Sequence, residues 1–363
     1  QVMFDIPKNA FIPKPKVMGF DIEVNSSNPT AMPDADKVED KVFQISCVLS
    51  NPDDNVTDYK KYLITLGKPN PDIIGKDVNI IHCLTENDLL VQFSEFILTH
   101  NPNIICGYNI FGFDLPYMID RSGKGNNSCV REFKKIGFRK EEEAKDKKIS
   151  WSSSAYKNQE FRYLDAEGRL FVDLLPLVQR DYKFDNYKLK TISTFFLGDT
   201  KDPLSAQDIF RCYREGMKNT PDGNNQLGEV GKYCVQDTML VNRLFTHLQT
   251  WVGLYEMANT CNVPMFYLFT RGQQIKVYSQ IYKKCYMENY VIEKQNTSNQ
   301  EKYTGATVFP PKPGAYDKVV PFDFSSLYPT TIIAYNIDYS TYVTDENISD
   351  DLCNVIEWED EEN

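Results

Sequence analysis

Four carboxylates occupy positions from which a metal-holding site could be built: Asp21 and Glu23 in VMGFDIEV, Asp114 in GYNIFGFDLPYM, and Asp237 in YCVQD. Asp21 and Glu23 flank Ile22 on a predicted strand, so both side chains leave the same face. Two like charges so placed repel unless a cation sits between them. A solvated strand face explains an isolated D-x-E as well, but the neighbours Phe20, Ile22 and Val24 mark this strand as buried. Asp114 follows a predicted strand, where Asn109 and Gly112 can turn the chain and Phe113 offers a ring. By itself it would also serve as an acid at a helix N-terminus. Asp237 falls on the apolar stripe of a helical pattern, where an unpartnered charge is costly, and Tyr233 lies one turn away. A core tyrosine bonded to a nearby acid is the plainer reading of either residue alone.

The rest of the composition narrows the chemistry. The three histidines (His82, His100, His247) are far apart and the nine cysteines form no close pair, so a zinc site, a Ser-His-Asp triad or a disulfide framework has little to build on. Oxygen ligands from separate elements suit two Mg²⁺ or Mn²⁺ ions about 3.5–4 Å apart, an arrangement that clamps a scissile phosphate. Phosphodiester hydrolysis is the reaction this donor set favours. The net charge of −11 argues, at face value, against a nucleic-acid binder. A local exception is the basic and aromatic stripe Arg271, Lys276, Tyr278, Tyr282, Lys283 and Lys284, for which a solvated helix face is an equal explanation.

These residues need elements to carry them. The runs 17–24, 42–49 and 59–66 read as three strands in a meander, 86–100 as a helix capped by Thr85, and 103–110 as a further strand. That order predicts an α/β layer fold with a mixed sheet. Residues 122–160 are polar and of mixed charge, a loop or exposed hairpin. The periodicity predicts one helix over 228–258, a second over 271–288, and a strand at 318–324, KVVPFDF, behind the turn PPKPG. With 363 residues, 41% of them hydrophobic, the chain has material for two cores. No apolar run approaches a membrane span and the first residues lack the layout of a signal peptide, so a soluble intracellular chain is expected.

Taken in order, these segments resemble the family B DNA polymerases, in particular the polymerase delta-like branch of eukaryotes and large DNA viruses, over nearly the whole chain. FDIE at 20–23, GYNIFGFDLPYM at 107–118 and YCVQD at 233–237 resemble the three exonuclease motifs; RGQQIK at 271–276, YTGATV at 303–308 and DFSSLYP at 323–329 extend the similarity into the polymerase half. The resemblance implies a ribonuclease H-like exonuclease domain over 17–252, preceded by a remnant of an N-terminal domain over 1–16. Connecting helices and an incomplete α+β polymerase palm over 253–363 would follow it. It makes Asp21, Glu23, Asp114 and Asp237 the ligands of two Mg²⁺ or Mn²⁺ ions, with Tyr233 orienting the attacking water. Asn109 and Phe113 would hold a frayed primer end, and Arg271, Tyr303 and Gly305 would touch DNA. Asp323 and the Phe324 carbonyl would bind metal in the polymerase site, which holds two ions in the whole protein. Ser325, Ser326, Leu327 and Tyr328 would cradle a deoxynucleoside triphosphate.

The function so implied is DNA replication by a polymerase with 3′-to-5′ proofreading, acting on primer-template and single-stranded 3′ ends. A sliding clamp is the implied partner, and the nucleus or a replication site in the host-cell cytoplasm the implied place. Nothing in the sequence resembles the fingers helix, the second palm aspartate motif or a thumb. The chain is therefore expected to be a fragment of a longer polypeptide that trims DNA without extending a primer. A stand-alone DEDD-type 3′-to-5′ exonuclease of repair or RNA processing would use the same four acids, but has no use for DFSSLYP and YTGATV.

Overall fold

The run VMGFDIEV forms strand β1 (Val17–Val24), buried along its length except at Asp21, which is half-buried. It pairs antiparallel with β2 (Val42–Ser50), which pairs antiparallel with β3 (Lys60–Leu66), the predicted meander. The computed structural model describes residues 13–124, 128–139, 141–153, 157–199, 204–292, 308–343, 345 and 347–355, in two units divided between 292 and 293.

In the first unit a short helix α1 (Pro71–Ile74) leads to β4 (Val78–Cys83), parallel to β3. Helix α2 (Glu86–His100) then crosses to β5 (Ile104–Gly107), parallel to β1. Thr85 caps α2 as predicted: its hydroxyl accepts the Asp88 N–H at 3.2 Å while the Asp88 carboxylate accepts the Thr85 N–H at 2.9 Å. Helices α3 (Asp114–Ser122) and α4 (Val130–Phe133) precede an antiparallel hairpin, β6 (Lys145–Ser153) with β7 (Lys157–Asp165), in the segment expected to be a loop or hairpin. Strand β8 (Leu170–Asp173) completes a sheet of order β4-β3-β2-β1-β5-β8. Only β2 runs against the rest, so the carboxyl ends of β1, β5 and β8 meet at one edge, where ligands bind in sheets of this kind.

Helices α5 (Leu174–Asp181), α6 (Leu189–Leu197), α7 (Ala206–Gly216), α8 (Pro221–His247), α9 (Thr250–Cys261), α10 (Tyr267–Thr270) and α11 (Gln273–Met287) follow. The single helix expected over 228–258 is therefore two. The backbone turns left-handed at Gln249, φ 52°, with no glycine or proline to announce the break. The expected stripe on α11 is also not one solvated face. Lys276 is buried, whereas Tyr278 and Tyr282 are exposed.

Helix α8 lies directly on the sheet because β1 makes room for it. A Cβ on Gly19 would stand 1.8 Å from Asn242 Oδ1. Polar ties along the helix then set its height. Gln44 Nε2 donates to the Leu227 carbonyl at 3.2 Å, Ser46 Oγ to the Cys234 carbonyl at 2.9 Å, and Asn242 Nδ2 to the Val48 carbonyl at 3.1 Å. Buried polar groups satisfied this way specify one docking. Gly19→Ala is expected to lower the unfolding free energy by about 1–3 kcal/mol through overpacking; an unchanged urea midpoint would show that α8 can rise at no cost.

In the second unit, helix α12 (Leu327–Tyr335) forms, but the strand expected at 318–324 does not: those residues are irregular and exposed. Without a neighbouring strand among the described residues, the run has no ladder for its backbone N–H and C=O groups to join. Among the described residues, no helix is long and apolar enough to cross a membrane.

Candidate functional site

Gly19, Asp21 and Glu23 alternate onto the face of β1 that α8 covers. The pairing of β1 with β2 shifts register between Glu23 and Val24, an irregularity of the kind that re-aims side chains beside sites. Cys234 on α8 brings its thiol within 4.8 Å of carboxylate oxygens of both Asp21 and Glu23. The thiol is 3.3 Å from Ser46 Oγ and 3.7 Å from the Asp21 carbonyl. Burial, then the charges of Glu23, Asp21 and Asp237, raise its pKa, so it stays protonated.

Asp114 opens α3, the helix held by the buried Arg121, whose guanidinium pairs with Glu86 and donates to the Ala35 carbonyl at 3.0 Å. Its carboxylate accepts the Ile22 N–H, which docks it beside β1 at the level of Asp21 and Glu23. Its Oδ1 is buried with no hydrogen-bond partner among the described residues. Burial pushes its pKa up to about 7, with the charge of Asp173 adding to the rise and backbone N–H groups of Asp114 and Ile22 opposing it. Asp237 and Tyr233 are both buried on α8, and the Asp237 charge reaches the cluster through Cys234. The tight group is thus Asp21, Glu23 and Cys234, with Asp114 and Asp237 bordering it.

The loop between β5 and α3 shapes the rim. Asn109 is exposed and left-handed, φ 66°, and Phe113 is half-buried, its ring 5.5 Å from that of Tyr117. This loop is organised by a residue the sequence reading missed, Asp173. At the end of β8 its Oδ1 accepts the N–H groups of Asn109 at 2.8 Å and Leu175 at 3.0 Å, and its Oδ2 that of Phe111 at 3.0 Å. Burial pushes its pKa up to about 6 against those three N–H groups. In the sequence it looks like an ordinary cap of α5. Its one distinguishing signal is an acid that closes the apolar run LFV at the carboxyl edge of a sheet.

In the second unit, Asp323, Phe324, Ser325, Ser326, Leu327 and Tyr328 lie together at the N-terminus of α12, all exposed. Asp323 sits on irregular backbone, not on the strand end that was expected, because 318–324 finds no pairing partner among the described residues. Arg271 leads into α11 with its guanidinium 5.4 Å from the centre of the Tyr267 ring. Tyr303 and Gly305 lie outside the described residues.

The acidic cluster fits a divalent cation. Carboxylate oxygens dominate the donors, and the buried Asp114 Oδ1 is an acceptor that lacks a proton donor and suits a hard ion. The domain is a mixed-sheet α/β layer fold with carboxylates on its central strand, at the start of the helix after a parallel neighbour and on a helix across its face. Residues 1–192 match the exonuclease domain of DNA polymerase family B, and residues 263–361 match DNA polymerase family B. The chain belongs to DNA polymerase family B. It is 51% identical over 352 residues to DNA polymerase 120R of Invertebrate iridescent virus 3, covering 96% of this chain and 30% of that protein. It is 34% identical to DNA polymerase 037L of Invertebrate iridescent virus 6, with 96% of this chain and 35% of that protein covered. To the DNA polymerase delta catalytic subunit of Plasmodium falciparum it is 35% identical, over 94% of this chain and 30% of the relative. The chain thus spans about a third of the length of these curated relatives.

Proposed function

We propose that this chain hydrolyses the terminal phosphodiester of a DNA 3′ end, as the proofreading exonuclease of a replicative family B polymerase. The observation that carries the reading is the buried, unpartnered Asp114 oxygen, on a carboxylate held by the N–H of the residue between Asp21 and Glu23, in a chain of this family. Asp21, Glu23, Asp114 and Asp237 would hold two Mg²⁺ or Mn²⁺ ions. Bound there, such ions lower the pKa of water and stabilise the leaving oxygen. Tyr233 would orient the attacking water from its place one turn before Asp237. Asn109 and Phe113 at the rim would grip the frayed strand by a polar contact and a ring.

In the longer protein, Asp323 and the Phe324 carbonyl would serve the polymerase metals, and Ser325 to Tyr328 the incoming deoxynucleotide. Tyr303, Gly305 and Arg271 would touch primer-template, and a sliding clamp would be the partner. The family resemblance alone supports those roles.

The reading is tested by incubating the chain with Mg²⁺ and 5′-labelled single-stranded DNA. A ladder shortening from the 3′ end is expected; cuts at internal positions, or none, would overturn it. Tyr233→Phe should slow trimming by about 10- to 10⁴-fold while Mn²⁺ affinity holds. Loss of Mn²⁺ binding in that variant would instead make the tyrosine a support for the site.

A further inference from the structure

Away from the acids, the base of the β6–β7 hairpin and helix α10 enclose a cleft of about 360 Å³, within the range of small-ligand sites. In a chain of net charge −11 its walls are positive. Lys147, Arg169 and Arg271 line it against one carboxylate, Asp165, which is paired with Lys147. Arg169 is buried at its floor, and its guanidinium is held by the carbonyls of Ile136 and Pro102, not by an acid. Arg271 packs over the Tyr267 ring. Lys147 stands directly across the hairpin from Tyr163, whose ring lies 4.5 Å from that of Phe266. Cations interleaved with aromatic faces bind phosphate and base together.

The cleft stands apart from the acidic site. Leu170 on its wall is level with Val17, four residues below Asp21 and two strands away, which is roughly 16 Å by strand rise and spacing. The buried Phe111 packs against two of the cleft's rings, Tyr163 at 5.8 Å and Phe266 at 6.5 Å, while its N–H binds Asp173. A single strand leaving the acids would cover that distance in on the order of three to five nucleotides.

We propose that this cleft is a second nucleic-acid subsite that takes one nucleotide of a single strand, its phosphate on Lys147 and Arg271 and its base against Tyr267. The proposal rests on the exonuclease reading for its choice of ligand. It is tested in the full chain carrying Asp21→Ala, so that no DNA is consumed, by fluorescence anisotropy with labelled dT12 at several salt concentrations. Lys147→Gln on that background should reduce the slope of log affinity against log salt by about 0.7, one phosphate contact on a single strand. Tyr267→Leu should weaken binding about 5- to 150-fold with the slope unchanged, the effect of one lost stacking contact. Lys147 is on the surface, so its variant reads the contact without threatening the fold. Parental affinity and slope in both variants would overturn the proposal. So would loss of dTMP binding in these variants with dT12 binding intact, since the cleft would then take a free nucleotide. The unmutated chain is assayed alongside for 3′ trimming. Trimming with variant-insensitive binding removes the cleft alone, whereas variant-sensitive binding without trimming removes the exonuclease reading and leaves the cleft.

Discussion

Replacing Asp21 and Glu23 together by alanine is expected to reduce 3′ trimming by at least about a thousandfold. The residues present the central pair of oxygen donors on β1, and Asp114 borders them through its bond to the Ile22 N–H. Losing them forfeits several kcal/mol of transition-state stabilisation, and each 1.36 kcal/mol is tenfold in rate. The fold should not suffer, because two neighbouring carboxylates repel one another when no cation separates them. A melting temperature equal to or above that of the parent, lost Mn²⁺ binding and lost trimming make up the expected set. Trimming at the parental rate by the double variant would remove these residues from the site.

Asp173→Ala should be the most damaging change outside the acidic cluster. It strands the buried N–H of Phe111 and the part-buried ones of Asn109 and Leu175, at about 1–3 kcal/mol for each that is left dry and unsatisfied. Relief of the buried charge offsets part of that loss, so a net cost on the order of 3–5 kcal/mol is expected in urea denaturation. The loop that carries Asn109 and leads into Asp114 would shift, and misplacement by about 1 Å can cost roughly a hundredfold in rate. The same carboxyl gives a pH signature. Its pKa of about 6 lies above the roughly 3.9 of an unfolded aspartate, so between those values the folded chain holds the extra proton. Its contribution to stability is full below about pH 4 and is lost as pH rises through about 6. Asp173→Asn cannot titrate and should flatten that decline relative to the parent; parallel profiles over pH 4–7 would show that the carboxyl ionises without penalty.

The strands β1 to β3 and helix α2 were legible because burial on two faces leaves continuous apolar runs and because Thr85 with Asp88 writes a cap into the sequence. Strand β4 was not, since as an edge strand it is only half-buried and shows no clear alternation. Strand β8 has only four residues, too short to display a period. Of the candidate site, Asp21, Glu23 and Asp237 stood out as charges on apolar faces, a local signal. The role of Asp173 is made of hydrogen bonds to residues 62 and 64 positions away, and Cys234 enters the cluster only once α8 lies on β1. Both depend on docking, and no window of sequence contains it. The break at Gln249 and the missing strand at 318–324 are the converse, where a local pattern lacked the tertiary partner that would have enforced it.

The closeness of α8 to Gly19 also sets an order in time. The thiol of Cys234 and the carbonyl it approaches on Asp21 are 213 residues apart, and at roughly 5–20 residues per second a ribosome needs about 10–40 s to make that stretch. Through that interval the strand bearing Asp21 and Glu23 is already synthesised while the helix that covers it is not. Until the helix arrives, the face of β1 that bears Gly19, Asp21 and Glu23 lacks the cover it has in the folded chain. The proposed site can be completed only when Asp237 has left the exit tunnel.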